Sequence, residues 1–595
     1  MACWINRALV LLVCLISSRA FASTQLTAQQ IEDLVNQASA NHQTSVTIPP
    51  GTYSLSADTS LRYHLQFQNL QNLTIDATGV TLVCTNTLIG GVFFSGCANV
   101  TFQGATIVYP TPCFTQGVVL GVGPGASYID VKIDLGWPSN LDNPTFFPQH
   151  PAANIFDPST RLWKRGVDEP WLKAPQRLGP RRFRIPAGRA FPADSAPINA
   201  GDLIAFRGVG SNGVLLYRCT GMLLDELTVM SAGGYGIYEN GGGGNRYHAI
   251  QVTYGPTPPT ATTAPLLSAN ADGFHSTASR TGPMINNCLF EGMPDDGIAI
   301  HGLFAMVVAS SANSVTVGTV GVDSVQPGDW MRLSSADGGF LADAQLISRQ
   351  ELPGYQPPHQ ITNPAFARTV NYHTFVMDRP LAAVFGELLG DNNASGAGYV
   401  ISNCTIRNNR ARGMIVQGGE GLIQNNLIDG STMEGILVGP EISTNVAGYM
   451  RNLMIRHNTI HNVCYATFGA NNPRPGAITI AGEGQDTAAM PGHIQISVHN
   501  NLFSDIDGVN LMIDSVRGAL IRNNTFTNPQ AHPTVRGLDA GIDPDALIYL
   551  NYCDNVQLDD NVITSVPPAS LEPVVATPSV TNIIGATTGV IVGAE

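Results

Sequence analysis

Asn403-Cys404-Thr405-Ile406, Asn425-Asn426-Leu427-Ile428, His457-Asn458-Thr459-Ile460, Asn500-Asn501-Leu502-Phe503 and Asn523-Asn524-Thr525-Phe526 repeat one short pattern, which Asn287-Cys288-Leu289-Phe290 repeats further upstream. Asn403 and Asn425 are 22 residues apart, and Asn500 and Asn523 are 23 apart. Each unit alternates polar with aliphatic or β-branched residues, then breaks at Gly, Asn or Asp, as strands with turns do. A unit this short cannot bury its own apolar face and must stack on its neighbours. Parallel strands joined by crossovers take the right hand. The spacing therefore predicts an all-β fold, a right-handed parallel β-helix.

Working outward, Thr27 to Ala40 carries Ile31, Leu34, Val35 and Ala38 on one helical stripe, suited to covering the first rung. Strands are expected from Ser45-Val46-Thr47-Ile48 onward, with further rungs at Leu73 and Val100. Two Pro-rich stretches, 113–212 and 303–398, lack the repeat. Each contains a β pattern opening on Gly-Asp, at Gly201-Asp202 and Gly328-Asp329. They read as small β-barrel-like domains inserted between rungs. The expected division is thus 23–112, 213–302 and 399–566 for the β-helix, 113–212 and 303–398 for the insertions, and 567–595 for a C-terminal tail.

Composition narrows the function. The 595 residues include 30 basic and 44 acidic side chains, a net charge of −14. Such a chain is a poor binder of phosphate backbones, which argues against nucleic acid. Residues 1–22 read as an export signal: Arg7, an apolar run from Ala8 to Ile16, and the cleavage site Ala20-Phe21-Ala22. The run is short for a membrane span and none of 18 apolar residues follows, so a secreted or periplasmic protein without a membrane span is expected. Beyond the signal stand eight cysteines with no Cys-x-x-Cys spacing. They read as buried small hydrophobes, with Cys288 and Cys404 stacked at one offset. Asn-x-Thr at Asn72, Asn99 and Asn403 falls in rungs, where turn duty outweighs glycosylation, and Gly241 to Gly244 reads as a plain loop.

The acidic residues gather in one place. Asp272 precedes Gly273-Phe274-His275, and 24 residues later Asp296 stands in Pro294-Asp295-Asp296-Gly297-Ile298-Ala299-Ile300-His301-Gly302. Twenty-four residues make one rung, so Asp272 and Asp296 are expected in adjacent turns, about 4.8 Å apart. Arg412-Gly413 and Glu434-Gly435 continue the column. Stacked carboxylates repel, and a purely structural ladder avoids them. Pro294 and Gly297 allow a bend that presents both Asp295 and Asp296 outward. Phe274 alternates into the apolar side and reads as core.

At these residues the sequence resembles glycoside hydrolase family 110, β-helix enzymes that remove terminal α-1,3-linked galactose with inversion. The resemblance rests on Asp272-x-x-His275, on Arg280 ahead of Asn287-Cys288, on Asp295-Asp296 with His301-Gly302, and on Arg410-x-Arg412-Gly413. It departs at Ala299, where the family usually has Asn, and at Glu441 to Gly448, where a Trp-x-Glu-Ser-Gly stretch is missing. More distantly the chain resembles polygalacturonases of family 28, but Ala411-Arg412-Gly413 stands where those have Gly-His-Gly. These resemblances imply Asp295 as general acid and Asp272 with Asp296 as the groups that position water. They imply substrate contacts from His275, Arg280, His301, Arg412 and Glu434, a carbohydrate substrate, and no metal or cofactor. A barrel inserted after Gly302 favours a walled pocket and an exo-acting enzyme. Two other readings stand beside this one. A calcium-dependent polysaccharide lyase would use Asp272, Asp296 and Glu434 as ligands and Arg412 as base. A carbohydrate-binding solenoid would bind without turnover.

Overall fold

The computed structural model describes residues 25–56, 62–167, 169–189, 195–320, 324–369, 371–466, 476–482, 492–532, 541–586 and 588–593. The expected export signal lies outside them. Helix Ala28–Ala40 opens with a capping box: the Thr27 hydroxyl accepts from the Gln30 amide and the Gln30 side chain from the Thr27 amide. It lays Ile31, Val35 and Ala38, all buried, on the first rung, with Leu34 partly buried beside them.

From there the chain winds as a parallel coil of three short strands per turn. One turn is Phe274–Thr277, Met284–Asn286 and Leu289–Glu291, and each strand pairs in parallel with its counterparts in the turns before and after. The expected β-helix is the observed fold. A single apolar column fills its interior from Ile31 to Ile563.

The repeat in the sequence is a turn between two of those strands. Its first residue needs left-handed backbone: φ is +57° at Asn287 and Asn425, +54° at His457 and +53° at Asn523. Asn tolerates that region better than most side chains. Its second residue points inward. The Asn426 amide nitrogen donates to Asn458 Oδ1 at 2.9 Å, Asn458 to Asn501 at 3.0 Å, Asn501 to Asn524 at 3.1 Å and Asn524 to Asn561 at 2.9 Å. Each amide also donates to a backbone carbonyl in the preceding turn of the coil: Asn426 to Ile401, Asn458 to Ile423, Asn501 to Ile455 and Asn524 to Val498. Toward the N-terminus Cys404 and Cys288 take this place, and each thiol donates to backbone carbonyls, Cys288 to Tyr247 and Asn286 and Cys404 to Ile285 and Ser402. All eight cysteines are buried and unbridged. Asn72 and Asn99, also left-handed at +52° and +54°, serve a different turn of the coil.

The two interruptions differ from each other. Phe114–Val122, Tyr128–Ile133, Ala153–Phe156, Gln176–Gly179, Arg182–Pro186 and Leu203–Arg207 form one antiparallel sheet with its own apolar core. Its edge strand Ala153–Phe156 is linked back to the end of strand Arg182–Pro186 by the bridges Ala152–Trp171 and Leu172–Ala187. In the second, strand Ile298–Ser311 leaves the β-helix and pairs with Ser314–Thr319 on one side and Leu388–Asp391 on the other. Asn371–Met377, Phe340–Glu351 and Trp330–Ser334 close the ring into a six-stranded barrel. Both Gly-Asp openings fold alike. Gly201 and Gly328 sit at φ +98° and +97°, and Asp202 and Asp329 accept from the backbone amide three residues earlier at 2.7 and 2.6 Å. The stretch 567–595, expected as a tail, instead supplies another turn: Glu572–Ala576, Thr581–Ile584 and Val590–Val592 pair in parallel with the three strands before them. Its strands are half exposed and lack the Asn pair, so the repeat signal was missing while the register persisted.

Replacing Asn458 with Ala removes the acceptor of both the Asn426 amide and its backbone N–H. An unsatisfied buried donor costs about 1–3 kcal/mol. A lower apparent melting temperature with an unchanged far-ultraviolet spectrum is the expected result.

Candidate active site

The register fixes the column. Phe274 pairs with Ile298, Ile298 with Met414, and Met414 with Ile436, so the residues two positions earlier, Asp272, Asp296, Arg412 and Glu434, occupy one offset in four successive turns. Backbone bonds tie them: Gly273 N–H donates to the Asp296 carbonyl, Gly297 to Arg412 and Gly413 to Glu434. The bend at Pro294–Gly297 interrupts strand alternation, so Asp295 turns to the same side as Asp296. One carboxylate oxygen from each of Asp272, Asp295 and Asp296 lies within 4.8 Å of the other two.

Three arginines hold this charge. Arg412 donates its backbone N–H to Asp296 at 2.8 Å and sets its guanidinium 3.6 Å from the same carboxylate, 3.9 Å from Glu434 and against Glu441. Arg207, the last residue of strand Leu203–Arg207 in the first insertion, reaches Asp295 at 2.8 Å, and Arg410 approaches it at 3.4 Å. Glu169, also from the first insertion, joins both arginines, 2.9 Å from Arg410 and 3.8 Å from Arg207.

The three aspartates are not equivalent. Burial, together with the neighbouring Asp295 charge, pushes the Asp272 carboxyl well above the ordinary range. Burial does the same at Asp296, reinforced by Asp272 and Asp295 and only partly offset by Arg412. At Asp295 burial also favours the neutral form, but Arg207 and Arg410 outweigh it and hold the group below its usual value. Its side chain is 28% exposed, against 7% for Asp272. Burial thus favours the proton-bearing form at Asp272 and Asp296, while the arginines favour the charged form at Asp295, nearest the mouth.

Behind Asp272 stand His275, whose Nδ1 is 2.7 Å from Asp272, and His301, whose Nε2 is 2.9 Å from His275 Nε2. Tyr235 stacks on His275 at 4.3 Å, and Tyr238 meets its edge at 5.4 Å. Phe274 is fully buried with its edge against Tyr247, which removes it as a sugar platform. Arg280 is not brought to the carboxylates. It pairs with Asp329 of the barrel at 2.6 Å and with the Ser324 carbonyl, pinning the second insertion to the coil. The sequence reading missed Arg207, Glu169, Tyr235 and Glu441. The first two lie in an insertion whose packing no repeat encodes, and Glu441 lies where the family's motif is absent.

The three aspartates supply the oxygen ligands a hard cation takes, but Arg207, Arg410 and Arg412 already face the same carboxylates. The arrangement fits proton transfer to and from a bound neutral ligand, with cationic donors for its hydroxyls.

Fold and site together define a right-handed β-helix enzyme built on converging carboxyls. Residues 390–574 match the family described as "Right handed beta helix region". Across most of its length the chain is similar to proteins named alpha-1,3-galactosidase. It is 21% identical to alpha-1,3-galactosidase A of Shewanella woodyi, covering 78% of this chain and 74% of that one. To alpha-1,3-galactosidase B of Bacteroides thetaiotaomicron it is 21% identical over 83% of this chain and 79% of the relative. For the Parabacteroides distasonis alpha-1,3-galactosidase B the figures are 23%, 85% and 86%.

Arg412→Lys keeps the charge but loses the planar fork that serves Asp296, Glu434 and Glu441 together. A loss of turnover of about tenfold or more, with a near-parent melting temperature, is expected. Unchanged kinetics would reduce Arg412 to a counter-charge.

Proposed function

We propose that this chain is an exported, exo-acting glycoside hydrolase that removes terminal α-1,3-linked galactose with inversion. The observation that carries the reading is the trio Asp272, Asp295 and Asp296 in one cleft, three carboxyls whose surroundings push their proton affinities apart. Glycoside hydrolysis needs that division of labour, one group to protonate the leaving oxygen and one to activate water. The relatives' names supply the sugar and linkage, and the resemblance to family 110 supplies inversion and the roles: Asp295 as acid, Asp272 and Asp296 on the water. In this reading His275, His301, Arg412 and Glu434 line or support the sugar site, while Arg280 supports it from the barrel side.

Arg207 and Arg410 keep Asp295 charged in the ligand-free site, so its work as an acid requires them to turn away. Arg207 is 23% exposed, and a galactose presenting hydroxyls to its guanidinium would draw it off Asp295. Release from both cations lets burial raise the carboxyl and load it with a proton. Both insertions contribute to the exo preference. The first sends Arg207 and Glu169 to the carboxylates, and the barrel grows from the strand that carries His301. Walls on two sides suit a chain end better than a polymer running through.

The test is release of galactose from α-1,3-galactobiose and galactose-capped oligosaccharides. The carboxyl oxygens approach more closely than the roughly 6.5–9.5 Å usual in two-carboxylate inverting enzymes. Proton NMR during the first minutes is therefore decisive: β-galactose appearing first supports inversion, α-galactose retention. Asp295→Ala is expected to abolish turnover of these substrates. The oxygen-rich trio also suits the lyase reading. EDTA sensitivity with an ultraviolet-absorbing product would favour it, whereas the hydrolase is expected to show neither. For export, the mature protein recovered outside the cytoplasm is expected to begin at Ser23.

A further inference from the structure

Asp272, His275 and His301 form a hydrogen-bonded chain that ends on a backbone carbonyl, and that end fixes the rest. His301 Nδ1 lies 2.7 Å from the Gly302 oxygen, which only accepts, so this nitrogen carries a hydrogen. In a neutral His301 the other nitrogen, Nε2, is then bare. His275 Nε2, 2.9 Å away, must donate to it, and the Thr277 hydroxyl at 3.3 Å is free to donate to the same atom. His275 Nδ1 is left to share a single proton with Asp272 Oδ2 across 2.7 Å. Every arrangement that keeps the three bonds leaves the group with zero net charge and one mobile proton.

We propose that His275, oriented by His301, is a positioning residue that takes the Oδ2 proton of Asp272 as Asp272 accepts a proton from the attacking water. The inference rests on the hydrolase reading above, in which Asp272 faces the water. In the step, a water O–H bond breaks and its proton joins Asp272 Oδ1. The Oδ2–H bond breaks and that proton joins His275 Nδ1. The water oxygen bonds the anomeric carbon, and the glycosidic oxygen leaves with its electron pair and a proton from the acid carboxyl. His275 becomes an imidazolium with both N–H groups bonded, and its extra proton returns through solvent to the carboxyl that was emptied. Asp272 thus serves as a base without first becoming a free carboxylate in a buried cluster of acids.

Other features agree. Burial lowers His275 to about 4 and His301 to about 3, and the Asp272 carboxyl is raised, so the resting proton sits on Asp272. The groups facing the chain are Asp295, Asp296, Arg207 and Arg412 around Asp272, Tyr235 and Tyr238 on His275, and Glu441 toward His301. Once His275 is protonated, the Asp295 carboxylate favours the imidazolium.

Two experiments on the full chain test this. Ring-nitrogen NMR of histidine-labelled protein, assigned with His275→Gln and His301→Gln, should show His301 protonated at Nδ1 and bare at Nε2, and His275 protonated at Nε2. Neither ring should titrate between about pH 5.5 and 8. A bare His301 Nδ1, or either ring titrating near the ordinary value of about 6.5, overturns the proposal whether or not galactosides are cleaved. In the second, His275→Gln keeps a hydrogen-bond acceptor but cannot take a proton. It should lower kcat about 100-fold, the usual contribution of a proton-transfer group, with KM within about twofold. The acidic limb of kcat/KM should move to higher pH, because Asp272 must then ionise unaided. Parent-like kcat and an unmoved limb in that variant would overturn it. A parent that cleaves no galactoside defeats the functional reading and leaves the NMR result to decide the proton arrangement.

Discussion

Everything in this protein depends on the in-register stacking of parallel strands. Hydrogen bonding holds neighbouring turns about 4.8 Å apart, so residues at one offset lie over one another whatever their chemistry. In the interior that constraint rewards identical residues: Asn426, Asn458, Asn501, Asn524 and Asn561 satisfy each other because each presents a donor upward and an acceptor downward. On the outside the same constraint places Asp272 over Asp296 and Arg412 over Glu434. A fold that stabilises itself by repetition has here been made to repeat a charge.

The strain of that repetition is relieved by protons and by arginines. Burial shifts Asp272 and Asp296 toward the protonated form, while Arg207 and Arg410 shift Asp295, nearer solvent, toward the charged one. Replacing any one member changes the others, because each sits inside the field of its neighbours. The histidine pair extends the network inward to a backbone carbonyl, a fixed point that orients both rings.

The insertions convert a surface column into a site. An unadorned coil would present these carboxylates on an open face. The first insertion returns Arg207 and Glu169 to them across its sheet, and the second is anchored by Arg280 to Asp329 and grows directly out of the strand that carries His301. One apolar core fills the coil and the barrel has a separate one, while the core under the first insertion is completed by Leu266, Leu267 and Tyr465 from the coil.

The sequence by itself determined the coil and the column. The period of 22 to 24 residues is local, and the left-handed turn that demands Asn or His is written at each repeat. Because one period is one turn, Asp272, Asp296, Arg412 and Glu434 could be aligned without coordinates. Asp295 was legible through Pro294 and Gly297, which mark the bend. The tertiary structure alone decided which cations meet which carboxylates. Arg207 lies 88 residues before Asp295, and Glu441 lies beyond Arg412 in a stretch without the repeat. Their approach depends on how an irregular sheet and a loop fold back, which no period records. Arg280 shows the converse: its place in a motif suggested the sugar site, but the barrel brought Asp329 within 2.6 Å and took it. Protonation was equally hidden, because desolvation is a property of the assembled cleft and not of any residue in it.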